Sequence, residues 1–183
     1  MLTDDRRIRK TKKALREALA ELMMNKELRC ITIRELSNAA DVHRATFYAH
    51  YKDIYDLYEQ LEDALIDEIG TIIVGDPSHS YKEHFRLIID YLIDNSKTCR
   101  MFLRSQTFNE RLSNFLEEKY LDIWKYETGQ KEVTEEWRYL TRYHIHGFLA
   151  IIRLWTESDY SYPKDKLTNM IFKIDEHFDE FAL

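Results

Sequence analysis

Apolar residues recur every three or four positions through most of the 183-residue chain, the period of an α-helix with one buried face. Ile8, Thr11, Leu15, Ala18, Leu19 and Leu22 set the first stripe and predict a helix over 6–25. Thr32-Ile33-Arg34-Glu35 predicts the next start as a capping box. In it the Thr32 hydroxyl accepts from the Glu35 amide and the Glu35 carboxylate accepts from the Thr32 amide. The short helix from 33 carries Ile33, Leu36 and Ala40 on one face and is expected to stop near Asp41, a residue type that tolerates left-handed backbone. Val42 then turns inward, and a second short helix is expected over 44–51. Helix, tight turn with small residues, helix is the helix-turn-helix unit, in which Ala39 and Ala40 let the helices cross closely while Val42 and Phe47 seal the corner. Any αα-corner shares this spacing; the basic flank favours the helix-turn-helix.

Beyond Lys52, the stripe Ile54, Leu57, Leu61, Ala64 and Leu65 predicts a connecting helix over about 53–69, and the turn set Gly70, Gly75, Asp76 and Pro77 marks the domain boundary. The expected organisation is residues 1–52 as one domain and 70–183 as a second, built from helices at about 79–94, 96–105, 107–127, 131–157 and 164–181. Two near-heptad stripes close the chain: Trp137, Leu140, His144, Gly147, Ile151 and Leu154, then Leu167, Met170, Ile174, Phe178 and Phe181. A mid-helix Gly costs about 1 kcal/mol against Ala, so Gly147 and Ala150 imply close approach of another helix. We expect that helix to belong to a second copy of the chain, across an interface of Tyr143, Gly147, Ala150, Ile151, Ile174 and Phe178; ordinary core within one chain is the alternative. The fold class is therefore all-α, a three-helix N-terminal domain followed by a helical bundle.

Composition agrees: four Gly and two Pro in a chain that is 44% hydrophobic leave too little punctuation for a β protein. Charge changes the picture more. The net of −6 conceals a division. Residues 1–52 hold twelve Lys and Arg against seven Asp and Glu, whereas residues 53–183 hold fifteen against twenty-six. A basic head on an acidic body presents a local positive face to a polyanion, because charges beyond about 10 Å are screened. Arg6, Arg7, Arg9, Lys10, Lys12 and Lys13 crowd a helix N-terminus, where cations oppose the macrodipole, so a partner rather than local stability accounts for them.

The same N-terminal residues resemble the DNA-binding domain of the tetracycline-repressor (TetR) family. The likeness runs over about 6–60, through the basic first helix, Thr32 to Leu36, Ala39-Ala40-Asp41-Val42, Arg44, Thr46-Phe47-Tyr48, His50-Tyr51, Lys52-Asp53 and Leu57. The resemblance implies that the second helix of the motif enters the DNA major groove, with Arg44, Ala45 and Thr46 nearest base edges and Tyr48 and His50 on the backbone. Thr32, Arg34, His43 and Lys52 complete the expected DNA-facing set. Three departures stand out. His43 replaces the usual Ser or Thr cap, Asp41 replaces the common turn Gly, and Ile54 stands where the family often has a backbone-contacting Lys. The body matches in plan, a ligand-binding and dimerising bundle, and Tyr143 to Trp155 is weakly similar to regulators of dihydroxyacetone metabolism.

Catalysis and metals are not expected. His43 and His50 are two helical turns apart, about 10 Å, too far to share an ion. No Gly-rich phosphate loop, HExxH or GxSxG pattern occurs. Phe102, Trp124, Tyr143 and His144 are the candidate effector-binding residues, with plain core as the competing reading. Cys30 and Cys99 form neither a CxxC nor a cluster, and the longest purely apolar run, Phe148 to Ile152, is five residues. The expectation is a cytoplasmic, non-enzymatic homodimer without cofactor or metal. It binds a pseudo-palindromic double-stranded DNA operator as a repressor released by a small molecule; the alternative is a protein-binding adaptor or coactivator on the same scaffold.

Overall fold

The computed structural model describes residues 2–74, 81–129 and 131–182. Its helices are α1 (Leu2–Met23), α2 (Ile33–Ala39), α3 (Arg44–Tyr48), α4 (Ile54–Val74), α5 (Tyr81–Asp94), α6 (Ser96–Leu103), α7 (Gln106–Thr128), α8 (Glu135–Glu157) and α9 (Lys164–Ala182). A single 3-10 turn at Leu28–Cys30 precedes α2, and no strand occurs among the described residues. The chain divides into two compact units, residues 1–65 with 97–102, and residues 66–96 with 103–183. The division falls inside α4, and most of α6 groups with the N-terminal unit.

In the first unit α1 packs on α2 and α2 on α3. The capping box forms as the sequence implies: Thr32 Oγ1 accepts from the Glu35 amide at 3.2 Å. The Glu35 carboxylate takes the Lys26 ammonium first and the Thr32 amide last, and together they hold it below the usual carboxylate range. At the other end of α2, Asp41 adopts the left-handed region at φ 53. Its amide donates to the Asn38 carbonyl at 3.2 Å, and the Val42 amide to the Ser37 carbonyl at 3.0 Å. That pair of bonds is a Schellman motif, built on Asp where Gly is usual. Of the two small residues expected at the crossing, only Ala40 is buried; Ala39 faces solvent, and Ser37, which periodicity did not single out, takes the inner position.

The second helix of the motif is shorter than expected, five residues ending at Tyr48. Ala49 caps it, and the chain then turns so that Tyr51 points inward. The connecting helix starts on its own reciprocal cap, with Asp53 Oδ1 accepting from the Asp56 amide at 2.9 Å and Asp56 Oδ2 accepting from the Lys52 amide at 2.8 Å. The Lys52 backbone amide first, and next the Gln60 side-chain amide donating to Asp56 Oδ1 at 2.9 Å, lower the Asp56 pKa. α4 then runs on to Val74, past the end expected from Gly70. Gly70 is no turn: it is buried inside the helix beneath Phe115, whose ring takes the place of a side chain. Gly75, Asp76 and Pro77 lie outside the described residues.

In the second unit α7 packs along α8, α5 along α9, and α9 against α8. Ser105 and Thr134 cap α7 and α8 by accepting from the Phe108 amide at 3.3 Å and the Trp137 amide at 3.2 Å. Gly129 ends α7 in the left-handed region at φ 68, the conformation Gly adopts most cheaply. Trp155 is core: its Nε1 donates to the Tyr162 carbonyl at 2.8 Å and its ring meets Tyr160 edge-on at 4.9 Å. The buried face of α8 is Trp137, Thr141, His144, Ile145, Ile152, Trp155 and Thr156. The stripe expected from the sequence therefore begins in the core at Trp137 and has turned outward by Leu154, which is 69% exposed.

Candidate nucleic-acid interface

Phe47 organises the candidate interface. Its ring is fully buried, 5.6 Å from Tyr51 in the interior and 5.6 Å from the edge of Tyr48 on the surface. Burying one large side chain from a five-residue helix forces its other faces outward. Arg44, Ala45 and Tyr48 are exposed, Tyr48 at 52%, and Thr46 is half-buried. His50 is half-buried with its ring 6.3 Å from Tyr51, and Lys52 is exposed. Thr32, Arg34 and His43 are also exposed. His43 sits at the N-cap of α3 without a capping side-chain bond, as its replacement of Ser or Thr implies. Ile54 is buried, so it serves the core and offers nothing to a backbone.

The basic first helix joins the same unit through Lys12, whose ammonium lies 5.9 Å from the Tyr51 ring centroid. Burial, the leading cause, pushes the Tyr51 phenol above its usual range. Arg6, Arg7, Arg9, Lys10, Lys12 and Lys13 are all exposed.

The candidate effector residues fall in both units. Phe102 belongs to the first unit, fully buried with its ring 4.9 Å from Tyr58. His144 is buried in the second unit with its ring 4.8 Å from Tyr120, while its neighbour Tyr143 is 75% exposed. The Trp124 side chain lies outside the described residues. On the outer face of the last two helices, Tyr143, Gly147 and Ala150 are exposed, Ile151 is half-buried and Ile174 is 48% exposed; the Phe178 side chain also lies outside the described residues. A Cβ added at Gly147 would meet nothing within 4 Å.

No helix among the described residues is long and apolar enough to cross a membrane. No curated protein matches the chain. Solved structures with this fold include a transcriptional regulator of the TerR/AcrR family from Aquifex aeolicus VF5, at TM-score 0.66 and 16% identity over 91% of this chain and 98% of that one. The dihydroxyacetone kinase operon activator DhaS superposes at TM-score 0.64 with 19% identity, over 90% and 93% of the two chains. A TetR transcriptional regulator from Streptococcus agalactiae 2603V gives TM-score 0.60 with 21% identity, over 93% and 98%. Residues 79–176, just over half of the chain, match the family model described as the C-terminal region of a transcriptional regulator. With that match over the body, the chain belongs to the TetR family of transcriptional regulators.

Proposed function

We propose that this regulator binds a pseudo-palindromic DNA operator as a homodimer, through the outward face of α3 and the residues around it. The observation that carries the reading is the division of labour about Phe47: a buried anchor, with Arg44, Ala45 and Tyr48 exposed on the same short helix. Arg44 has the planar donor fork that matches guanine O6 and N7, and Thr46 and Ala45 are small enough to approach base edges. Tyr48, His50, Lys52 and Thr32 carry donors suited to phosphates; Arg34 and His43 extend that surface. Two copies separated by about one DNA turn, 34–36 Å, reach successive major grooves.

The exposed apolar side chains on α8 and α9 support a second copy as the partner. Tyr143, Leu154 and Ile174 stand out from a face on which Gly147 meets open space, the smooth surface that close helix contact needs. The protein acts in the cytoplasm by binding rather than catalysis. Repression relieved by a small molecule in the body is the proposed mode; the effector works by binding one of two half-site spacings better than the other. DhaS, described as an operon activator, supplies the second reading, in which the bound regulator promotes transcription.

Selection of bound duplexes from a random pool tests the proposal. An enriched inverted repeat is expected, and its affinity should fall steeply with salt as phosphate-bound counterions are released. Arg44→Ala should cost about 1–3 kcal/mol and relax preference at its base pair, while Tyr48→Phe should weaken all duplexes alike. An empty selection, or variants binding like the parent, would rule the assignment out, and an adaptor would enrich no duplex at any salt.

A further inference from the structure

Away from the DNA-facing surface, the body contains an open groove of about 580 Å³ between the turn that joins α6 to α7, the first turns of α7 and the last three turns of α8. Leu103, Leu149 and Ala150 contribute its apolar surface, and the rest of its lining is polar or charged. Glu110, also in the lining, already accepts from the Gln106 side-chain amide at 2.9 Å. Arg104, Arg153 and Glu157 have no ion-pair or hydrogen-bond partner for their charged groups among the described residues. At the edge of the groove charges do pair: Glu117 takes Arg142 at 3.2 Å and lies 3.3 Å from His146, itself a lining residue.

We propose that this groove binds a small zwitterion, a free amino acid or a short peptide with an unblocked ammonium and carboxylate. A guanidinium accepts a carboxylate in a two-pronged hydrogen bond, which fits Arg104 and Arg153; the unpaired carboxylate of Glu157 fits an ammonium. Two arginines and two glutamates leave the rim electrically balanced, so a simple anion meets as much repulsion as attraction, whereas a ligand with both charges satisfies both signs. The small apolar patch of Leu103, Leu149 and Ala150 takes aliphatic carbon, and the volume falls in the range of about 300–1,000 Å³ usual for ligand sites. The groove shares Ala150 with the proposed dimer face, so occupancy reaches that face directly. This inference deepens the effector part of the proposed function and does not rest on the assignment of DNA contacts.

Calorimetric titration of the full chain with L-glutamine and with alanyl-glutamine separates the free amino acid from the peptide. N-acetylglutamine, without the ammonium, and glutamine amide, without the carboxylate, are the controls. One of the first two should bind at a single site, with both controls at least about tenfold weaker. Arg153→Gln and Glu157→Gln should each weaken binding by a similar factor while the thermal midpoint stays unchanged, since both side chains are exposed. No binding of either ligand at millimolar concentration, controls that bind equally well, or variants that bind like the parent would overturn the proposal. Operator selection without ligand, run in parallel, keeps this failure distinct from failure of the DNA-binding reading.

Discussion

The ring of Phe115 occupies the space that a side chain at residue 70 would need: Cζ lies 2.5 Å, and Cε1 2.9 Å, from the position of a β-carbon on Gly70. Two effects compete when that glycine is replaced. Ala in a helix interior gains about 1 kcal/mol over Gly, but forcing Phe115 aside costs about 1–3 kcal/mol. Gly70→Ala should therefore lose roughly 1 kcal/mol in a urea titration. Adding Phe115→Leu should recover part of that loss; a stabilised single variant would show that Phe115 yields freely.

Asp41 holds the left-handed C′ position of α2. Residue type there decides how much strain the turn carries, about 1 kcal/mol or more for a residue with a β-carbon. Asp41→Gly relieves the strain but loosens the unfolded chain, so a net gain of about 0.5 kcal/mol is expected. Asp41→Val should lose at least about 1 kcal/mol, because a β-branched residue avoids this conformation. The contrast between the two variants in thermal melts is the measurement.

Acid should loosen the first unit through Glu35 and Asp56. Both carboxyls are held below their usual range, by Lys26 and by the Lys52 amide respectively. A lowered native pKa means that the unfolded chain takes up the proton first. The stabilisation is thus complete at neutral pH, begins to fade below about pH 5, and is gone once the native groups protonate. The midpoint of urea unfolding should fall with pH across that window, and Asp56→Asn should make the fall shallower. An unchanged pH profile in that variant would remove Asp56 from the account.

The proposed dimer is best tested at Leu154. Ile151 is half-buried, so an acidic residue there would also disturb the fold, whereas Leu154 is 69% exposed. Leu154→Glu and Gly147→Arg should leave helix content and thermal midpoint at low concentration unaltered while shifting sedimentation from dimer to monomer. Both variants sedimenting as dimers would move the interface elsewhere.

Features governed by neighbours in sequence were legible. The Thr32–Glu35 box and the left-handed Asp41 both follow from contacts within six residues. A turn glycine and a packing glycine such as Gly70 look alike in sequence until the helix that covers it is known. The α8 stripe failed because the buried face lies to one side of it: at about 100° of turn per residue, Leu140, Gly147 and Leu154 sit on the opposite side of Trp137 from the buried Thr141, Ile145 and Ile152. His144 is still inside and Leu154 is not. The charged groove was invisible for another reason, since Arg104, just ahead of α7, and Arg153 on α8 line one groove only when α7 packs on α8.

The brevity of α3 has an evolutionary side. Of its five residues, only Phe47 is buried, and Arg44, Ala45 and Tyr48 face outward. Mutations at those three positions alter what the helix touches at almost no cost to folding, because exposed substitutions usually change stability by less than about 0.5 kcal/mol. Descendants of this chain can therefore drift to new targets one substitution at a time while Phe47 keeps the scaffold intact.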